Sequence, residues 1–157
     1  MLRYLLIAFA SVAAAMIERA GIILYHPINH STLFVKNAQT GRWSFTKGHR
    51  EPYDLTFRET AVREVFEEVG LKEGVDYVVD STGSRIYGRS IYWSGDVRHS
   101  YPQPRLNMSE HSEWAWMMPE EVRPLLKTPD VKAWLKVASI TQPKGAPRLT
   151  SNEDGIL

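Results

Sequence analysis

Apolar positions along the chain change their period several times, and each change predicts an element. Ala20 to Tyr25 is an unbroken, β-prone run and predicts a buried strand. His26-Pro27-Ile28-Asn29-His30 breaks it, and Thr32 to Lys36 predicts a second strand that completes a hairpin. After a turn at Gln39-Thr40-Gly41, Trp43 to Thr46 predicts a short strand leading into Lys47-Gly48. The period then becomes helical. Ala61, Val62, Val65, Phe66 and Val69 recur at three- and four-residue spacing and predict a helix from about Leu55 to Val69. Asp54 or Thr56 can cap its start, and Gly70 suits the left-handed conformation past its end. Tyr77 to Val79, Ser84 to Val97 and Glu113 to Met118 predict further strands, the middle one long. Pro119 predicts the first turn of a helix running to about Lys127. A last amphipathic helix is predicted over Asp130 to Ser139, with Val131, Trp134, Leu135 and Ala138 on one face.

The two ends of the chain read differently. Arg3 is followed by an uncharged stretch from Tyr4 to Met16, with Ala13-Ala14-Ala15 like a small-residue cleavage site. That is the anatomy of a signal segment, and it is too short to span a bilayer as a helix. Residues 1–15 are therefore read either as a signal-like segment of a secreted or anchored protein, or as an extension before a cytoplasmic domain that begins at Met16. The sequence favours the cytoplasmic reading. Residues 16–140 form the expected domain. Residues 141–157, with Pro143, Gly145, Pro147 and Gly155 and few apolar positions, read as a flexible tail.

Bulk composition narrows the function only slightly. A formal charge of +1 over 157 residues offers no global field for nucleic acid, so no DNA partner is expected. The absence of cysteine excludes disulfides, thiolate metal sites and a cysteine nucleophile. No stable protein partner is evident.

One segment carries chemistry. Glu64, Glu67 and Glu68 stand at i, i+3 and i+4 of the predicted helix, within roughly one 100° arc. Three carboxylates on one stripe repel each other unless a cation lies between them, and hard divalent cations take carboxylate oxygens and bridge phosphates. A solvated acidic face is the competing reading. Arg63 beside the acids, Glu59 one turn earlier and Gly70 at the helix end together favour a metal site.

These residues resemble the signature of the Nudix hydrolases. Arg63-Glu64-Val65-Phe66-Glu67-Glu68-Val69-Gly70-Leu71 matches the second half of that family's box, R-E-U-x-E-E-x-G-U with U apolar, in full. The first half departs. Gly48 lies fifteen residues before Arg63, one more than the pattern has, and Asp54 stands where the family has glutamate after five intervening residues. A one-residue insertion between Gly48 and the helix accounts for this. Within the family the chain is most similar to the asymmetrical diadenosine tetraphosphate hydrolases of animal type. Trp43-Ser44-Phe45-Thr46-Lys47-Gly48-His49, Glu51-Pro52, Glu59-Thr60-Ala61-Val62-Arg63-Glu64, Ile91-Tyr92-Trp93 and Arg105-Leu106 with Ser109-Glu110-His111 carry that likeness.

The resemblance implies an α/β fold, an α/β/α sandwich with a mixed central sheet. It implies Mg²⁺-dependent hydrolysis of a nucleotide phosphoanhydride, with Mn²⁺ as a substitute: diadenosine tetraphosphate to ATP plus AMP, by attack of water on phosphorus. The implied ligands are Glu64 and Glu68, assisted by Glu67, with the carbonyl of Gly48 as a neutral ligand. Lys47 is expected to face the phosphates. Arg63 is expected to pair with Glu59 and fix the helix. Glu110 is the candidate general base, outside the box. His49 and His111 are candidates to touch phosphates or orient a carboxylate, against a plain structural role. Tyr87 and Tyr92 are candidates to stack adenine, although alternation puts Tyr92 and Trp93 on opposite faces and leaves at least one of them to packing. Three other activities stay open: a capped or triphosphorylated RNA 5′ end as substrate, a diphosphoinositol polyphosphate as substrate, and a Nudix-like binding module without turnover.

Overall fold

The computed structural model describes residues 17–98 and 103–141. Its elements are β1 (Arg19–Tyr25), β2 (Thr32–Asn37), β3 (Trp43–Ser44), β4 (Thr46–His49), α1 (Phe57–Val69), β5 (Tyr77–Tyr87), β6 (Ser90–Val97), β7 (His111–Met117), α2 (Pro119–Val122) and α3 (Pro129–Thr141). The expected N-terminal segment, residues 1–15, and all but the first residue of the expected tail, 141–157, lie outside the described residues. No helix among the described residues is long and apolar enough to cross a membrane.

Seven strands form one mixed sheet in the order β3-β2-β1-β6-β5, with β4 also on β1 and β7 also on β2. β1 is its axis. It runs parallel to β6 from Arg19↔Ser90 to Tyr25↔Asp96. On its other side it changes partner midway. Tyr25 pairs with Thr32 of β2, whereas Arg19 to Ile22 pair with β4, from Arg19↔His49 to Ile22↔Thr46. The expected hairpin thus closes at its base only, and the gap left by β2 brings Lys47 and Gly48 to the middle of the sheet.

Ala20 to Leu24 are buried because both faces of β1 are covered. Ile22 and Leu24 pack with Ala61, Val65 and Val69 of α1, and Ile23 packs on the other face with Val131, Trp134 and Leu135 of α3. The result is the expected α/β/α arrangement.

Three expectations need correction. The predicted strand from Ser84 to Val97 is two strands, joined at Gly88-Arg89, where Gly88 takes a φ of 63° that turns the chain back. The predicted helix from Pro119 to Lys127 lasts one turn, to Val122. Pro124 has no N–H to donate, so the helical bonding cannot continue past it. Phe66, counted on the apolar face of α1, is 50% exposed and lies under the Lys72 ammonium, 5.6 Å from the ring centroid. The acids are not on a solvated face either: Glu64 and Glu68 are buried, and of the three only Glu67 is open to water.

Candidate active site

α1 is set by local chemistry at both ends. The Thr56 hydroxyl accepts from the Glu59 N–H at 3.2 Å, and the Glu59 carboxylate accepts from the Thr56 N–H at 3.1 Å, which is a capping box. At the other end Gly70, at φ 71°, donates its N–H to the Phe66 carbonyl. Glu59 is therefore committed to the cap, and the expected Glu59–Arg63 pair does not form.

Arg63 has other partners. Its Nη2 donates to Asp54 Oδ2 at 2.8 Å and to the His49 carbonyl at 2.9 Å, and its Nη1 to Glu64 Oε1 at 2.7 Å and Glu67 Oε2 at 2.8 Å. Asp54 Oδ2 also accepts from the Glu51 N–H and the Thr60 hydroxyl, both at 2.9 Å. Arg63 holds the Asp54 carboxyl well below its ordinary 3.8, with Glu51 and Thr60 adding to the effect. Asp54, which stands where the family has glutamate, ties the loop to the helix in the fold.

That pair predicts an acid-sensitive stability. A carboxyl whose value is depressed on folding stabilises the fold above its unfolded value, and the contribution is lost as pH falls through the folded one. Asp54→Asn is expected to cost about 2 kcal/mol at neutral pH, less than for a pair with no other partners because Arg63 keeps Glu64, Glu67 and a carbonyl. The gap between wild type and variant should narrow below about pH 4. Urea unfolding at a series of pH values measures this, and a gap that does not depend on pH would contradict it.

The other face of α1 meets β4. Gly48 lies so close that a Cβ there would sit 2.1 Å from the Glu64 carboxyl carbon. The Lys47 N–H donates to Glu68 Oε2 at 3.2 Å. Glu68 Oε1 lies 3.0 Å from His111 Nε2, at the start of β7. His111 Nδ1 has no hydrogen-bond partner among the described residues. Ligating atoms of Glu68, Glu110 and His111 lie within 4.8 Å of one another, so the loop before β7 brings Glu110 to the carboxylate stripe. Glu64 is 9% exposed and Glu68 4% exposed. Burial pushes the Glu64 carboxyl up to about 7 despite Arg63, and pushes Glu68 up despite His111 and Lys47. Two desolvated carboxylates beside β4, with a third acid at hand, are an oxygen donor set short of positive charge. A hard divalent cation fits that deficit.

The expected substrate residues fare differently. His49 is exposed and borders the cleft over the carboxylates, a space of about 630 Å³ also lined by Gly48, Glu67, Glu110 and His111. Lys47 does not offer its ammonium to that cleft freely. Nζ is 3.0 Å from Asp130 Oδ2, bonds the Ser44 hydroxyl and is buried, so the residue is a structural tie and its backbone N–H reaches the site instead. Tyr92 is 2% exposed; its ring packs on Phe45 at 5.4 Å and its hydroxyl bonds Asp130, so neither face can stack a base. Tyr87 is 8% exposed in the same cluster and does not line the cleft over the carboxylates. Sequence reasoning missed Asp130, which has no motif of its own, and Arg19 and Arg42, which border the cleft.

A family model of the NUDIX domain matches residues 11–138. The chain belongs to the Nudix family. A CTP pyrophosphohydrolase of Escherichia coli (strain K12) is 34% identical to this Nudix chain over 114 residues, which is 70% of this chain and 76% of that protein. Among solved structures, a binary complex of the C. elegans Ap4A hydrolase is similar with a TM-score of 0.65 at 19% identity, covering 78% of this chain and 96% of that one. RenU, a Nudix hydrolase from M. smegmatis, is similar with a TM-score of 0.61 at 21% identity, covering 83% of this chain and 91% of that one. The protein is a Nudix pyrophosphohydrolase, in a family that generally uses divalent metals.

Proposed function

We propose that this enzyme hydrolyses a dinucleoside polyphosphate, splitting diadenosine tetraphosphate into ATP and AMP by attack of water on phosphorus. The observation that carries the reading is two buried carboxylates, Glu64 against Gly48 and Glu68 on the Lys47 N–H, lining a cleft that Glu110 and His49 border. Glu64, Glu68 and the Gly48 carbonyl would hold Mg²⁺, or Mn²⁺ in its place, with Glu67 assisting from the exposed end of the stripe. The metal, when bound, neutralises phosphate charge and acidifies water. Glu110 accepts the proton of the attacking water. His111 holds the Glu68 carboxylate in place, and Arg63 fixes Glu64 and the loop without touching substrate. His49 faces the phosphates.

A second reading has its own support. The relative from Escherichia coli, named for CTP, favours a nucleoside triphosphate as substrate, cleaved to a monophosphate and pyrophosphate. One product assay separates the two. Diadenosine tetraphosphate, the four nucleoside triphosphates and capped RNA are incubated with Mg²⁺, with and without EDTA. ATP plus AMP from the first substrate, abolished by EDTA, supports the proposal. Preferred release of pyrophosphate from a triphosphate supports the second reading, and no product from any substrate removes both.

Glu110 carries its own prediction. A general base contributes typically about 10²–10⁴-fold. Glu110→Gln is expected to lower turnover by about 10-fold or more with little change in KM, the lower figure allowing a helix glutamate to share the proton. Glu113→Gln is the control, because Glu113 forms an exposed pair with Lys36 at 2.8 Å and such pairs contribute little. Equal rates in the two variants would reduce Glu110 to a surface acid.

A further inference from the structure

The cations around the cleft separate by their partners. Arg63 is committed to Asp54, Glu64 and Glu67, Lys47 to Asp130 and Ser44, and His111 to Glu68. Two exposed arginines remain. Arg19 has one side-chain bond among the described residues, from Nε to His49 Nε2 at 3.3 Å, which leaves both Nη atoms free. The Arg42 guanidinium has no partner among the described residues. Both line the cleft, Arg42 from just before β3 and Arg19 from β1 beside β6.

The cleft does not end at Arg19. A second cavity of about 310 Å³ shares Arg19, Lys47, Thr128 and Pro129 with it and is bounded by Glu18 and the Gly88–Ser90 turn. Strand register fixes Arg19 at the junction, opposite His49 on β4 and opposite Ser90 on β6. The turn is held to the start of β1 by the Glu18 N–H on the Arg89 carbonyl at 3.0 Å and by an Arg89–Glu18 ion pair.

We propose that Arg19 grips the phosphate chain where the cleft passes into this second cavity, and that the cavity takes the second terminal group of a substrate capped at both ends of its phosphates. The guanidinium fork matches phosphate oxygens bidentately, and Arg19 has that fork free. A nucleoside triphosphate ends in a bare phosphate and leaves the cavity to water. A chain with a nucleoside at each end places one of them there, against the polar backbone of the Gly88–Ser90 turn. The proposal rests on the hydrolysis reading above for where the reacting phosphate lies, and it adds the groups that receive the substrate's second end.

Calorimetry tests it without turnover, using Mg²⁺ with a methylene-bridged diadenosine tetraphosphate and a methylene analogue of ATP. Arg19→Ala should weaken the dinucleotide about 10-fold, and Arg19→Lys should recover part of the loss. Glu18→Trp fills the second cavity from an exposed position. It should weaken the dinucleotide about 10-fold and leave the ATP analogue within about twofold of wild type. Thermal unfolding of each variant checks that the fold is kept. An unchanged affinity in Arg19→Ala, an equal loss of both ligands in Glu18→Trp, or no binding of the dinucleotide to the wild type would each overturn the proposal. Failure of the hydrolysis reading shows separately, as absence of products from the wild-type enzyme.

Discussion

Glu64→Gln and Glu68→Gln will each lower turnover by at least about 10²-fold while the protein stays folded. Glutamine keeps the shape and the acceptor oxygen but removes the charge. At both positions the carboxylate is desolvated, and burial already raises its proton affinity. The amide keeps an acceptor for the Arg63 or His111 contact, and Arg63 retains Asp54 and Glu67, so the cost to the fold is limited. Activity and stability should therefore part company. Turnover at saturating substrate and Mg²⁺ should collapse, and the unfolding midpoint should stay near wild type. Glu67→Gln should have a weaker effect, because its side chain is nearly half exposed and among the described residues pairs only with Arg63. A near-wild-type rate in either buried variant would remove the assignment of these acids as ligands.

Gly48→Ala is expected to be as damaging, through a single methyl group. The added carbon would overlap the Glu64 carboxylate at 2.1 Å. The obstacle is the far end of a side chain, so the clash is relieved by swinging Glu64 away from β4. The fold survives and the donor set is broken, with turnover down by about 10²-fold or more. Gly21→Ala makes the contrast. There the new carbon meets the Thr46 carbonyl at 2.1 Å, and backbone in the middle of a sheet cannot swing aside. That variant should lose about 1–3 kcal/mol of stability or fail to fold. Measuring kcat and the unfolding midpoint for both glycines separates the two roles. Retained turnover in Gly48→Ala would show that Glu64 is free to move without consequence.

The helix was readable because its signals are local. The spacing of Glu64, Glu67 and Glu68, the glycine stop and the apolar repeat all lie within one run of sequence. The cap was readable too: Thr56-Phe57-Arg58-Glu59 has the spacing of a capping box. The pairing of Glu59 with Arg63 competed with it, and the cap won because it satisfies backbone donors that have no other partner.

Lys47 and Tyr92 were misread for the opposite reason. What claims them is Asp130, which lies 83 residues past Lys47 and 38 past Tyr92 and carries no motif. Nothing near Lys47 in sequence says that its ammonium turns inward. Alternation along β6 did indicate that one of Tyr92 and Trp93 had to pack, but the fold was needed to say which. The side cavity at Arg19 was equally illegible, since it depends on the register that brings Ser90 and His49 to the same residue.

The Asp54–Arg63 contact bears on how chain length can vary in such an enzyme. The segment between Gly48 and α1 is pinned through side chains, Asp54 to Arg63 and Thr60, and not through a ladder of strand bonds. A ladder transmits every added residue along its whole length, whereas a side-chain pin confines it to the stretch between the pin and the helix cap. The extra residue of this chain lies between Gly48 and the helix, in the stretch that these side chains pin. A loop held this way can take a change in length without a shift in strand register.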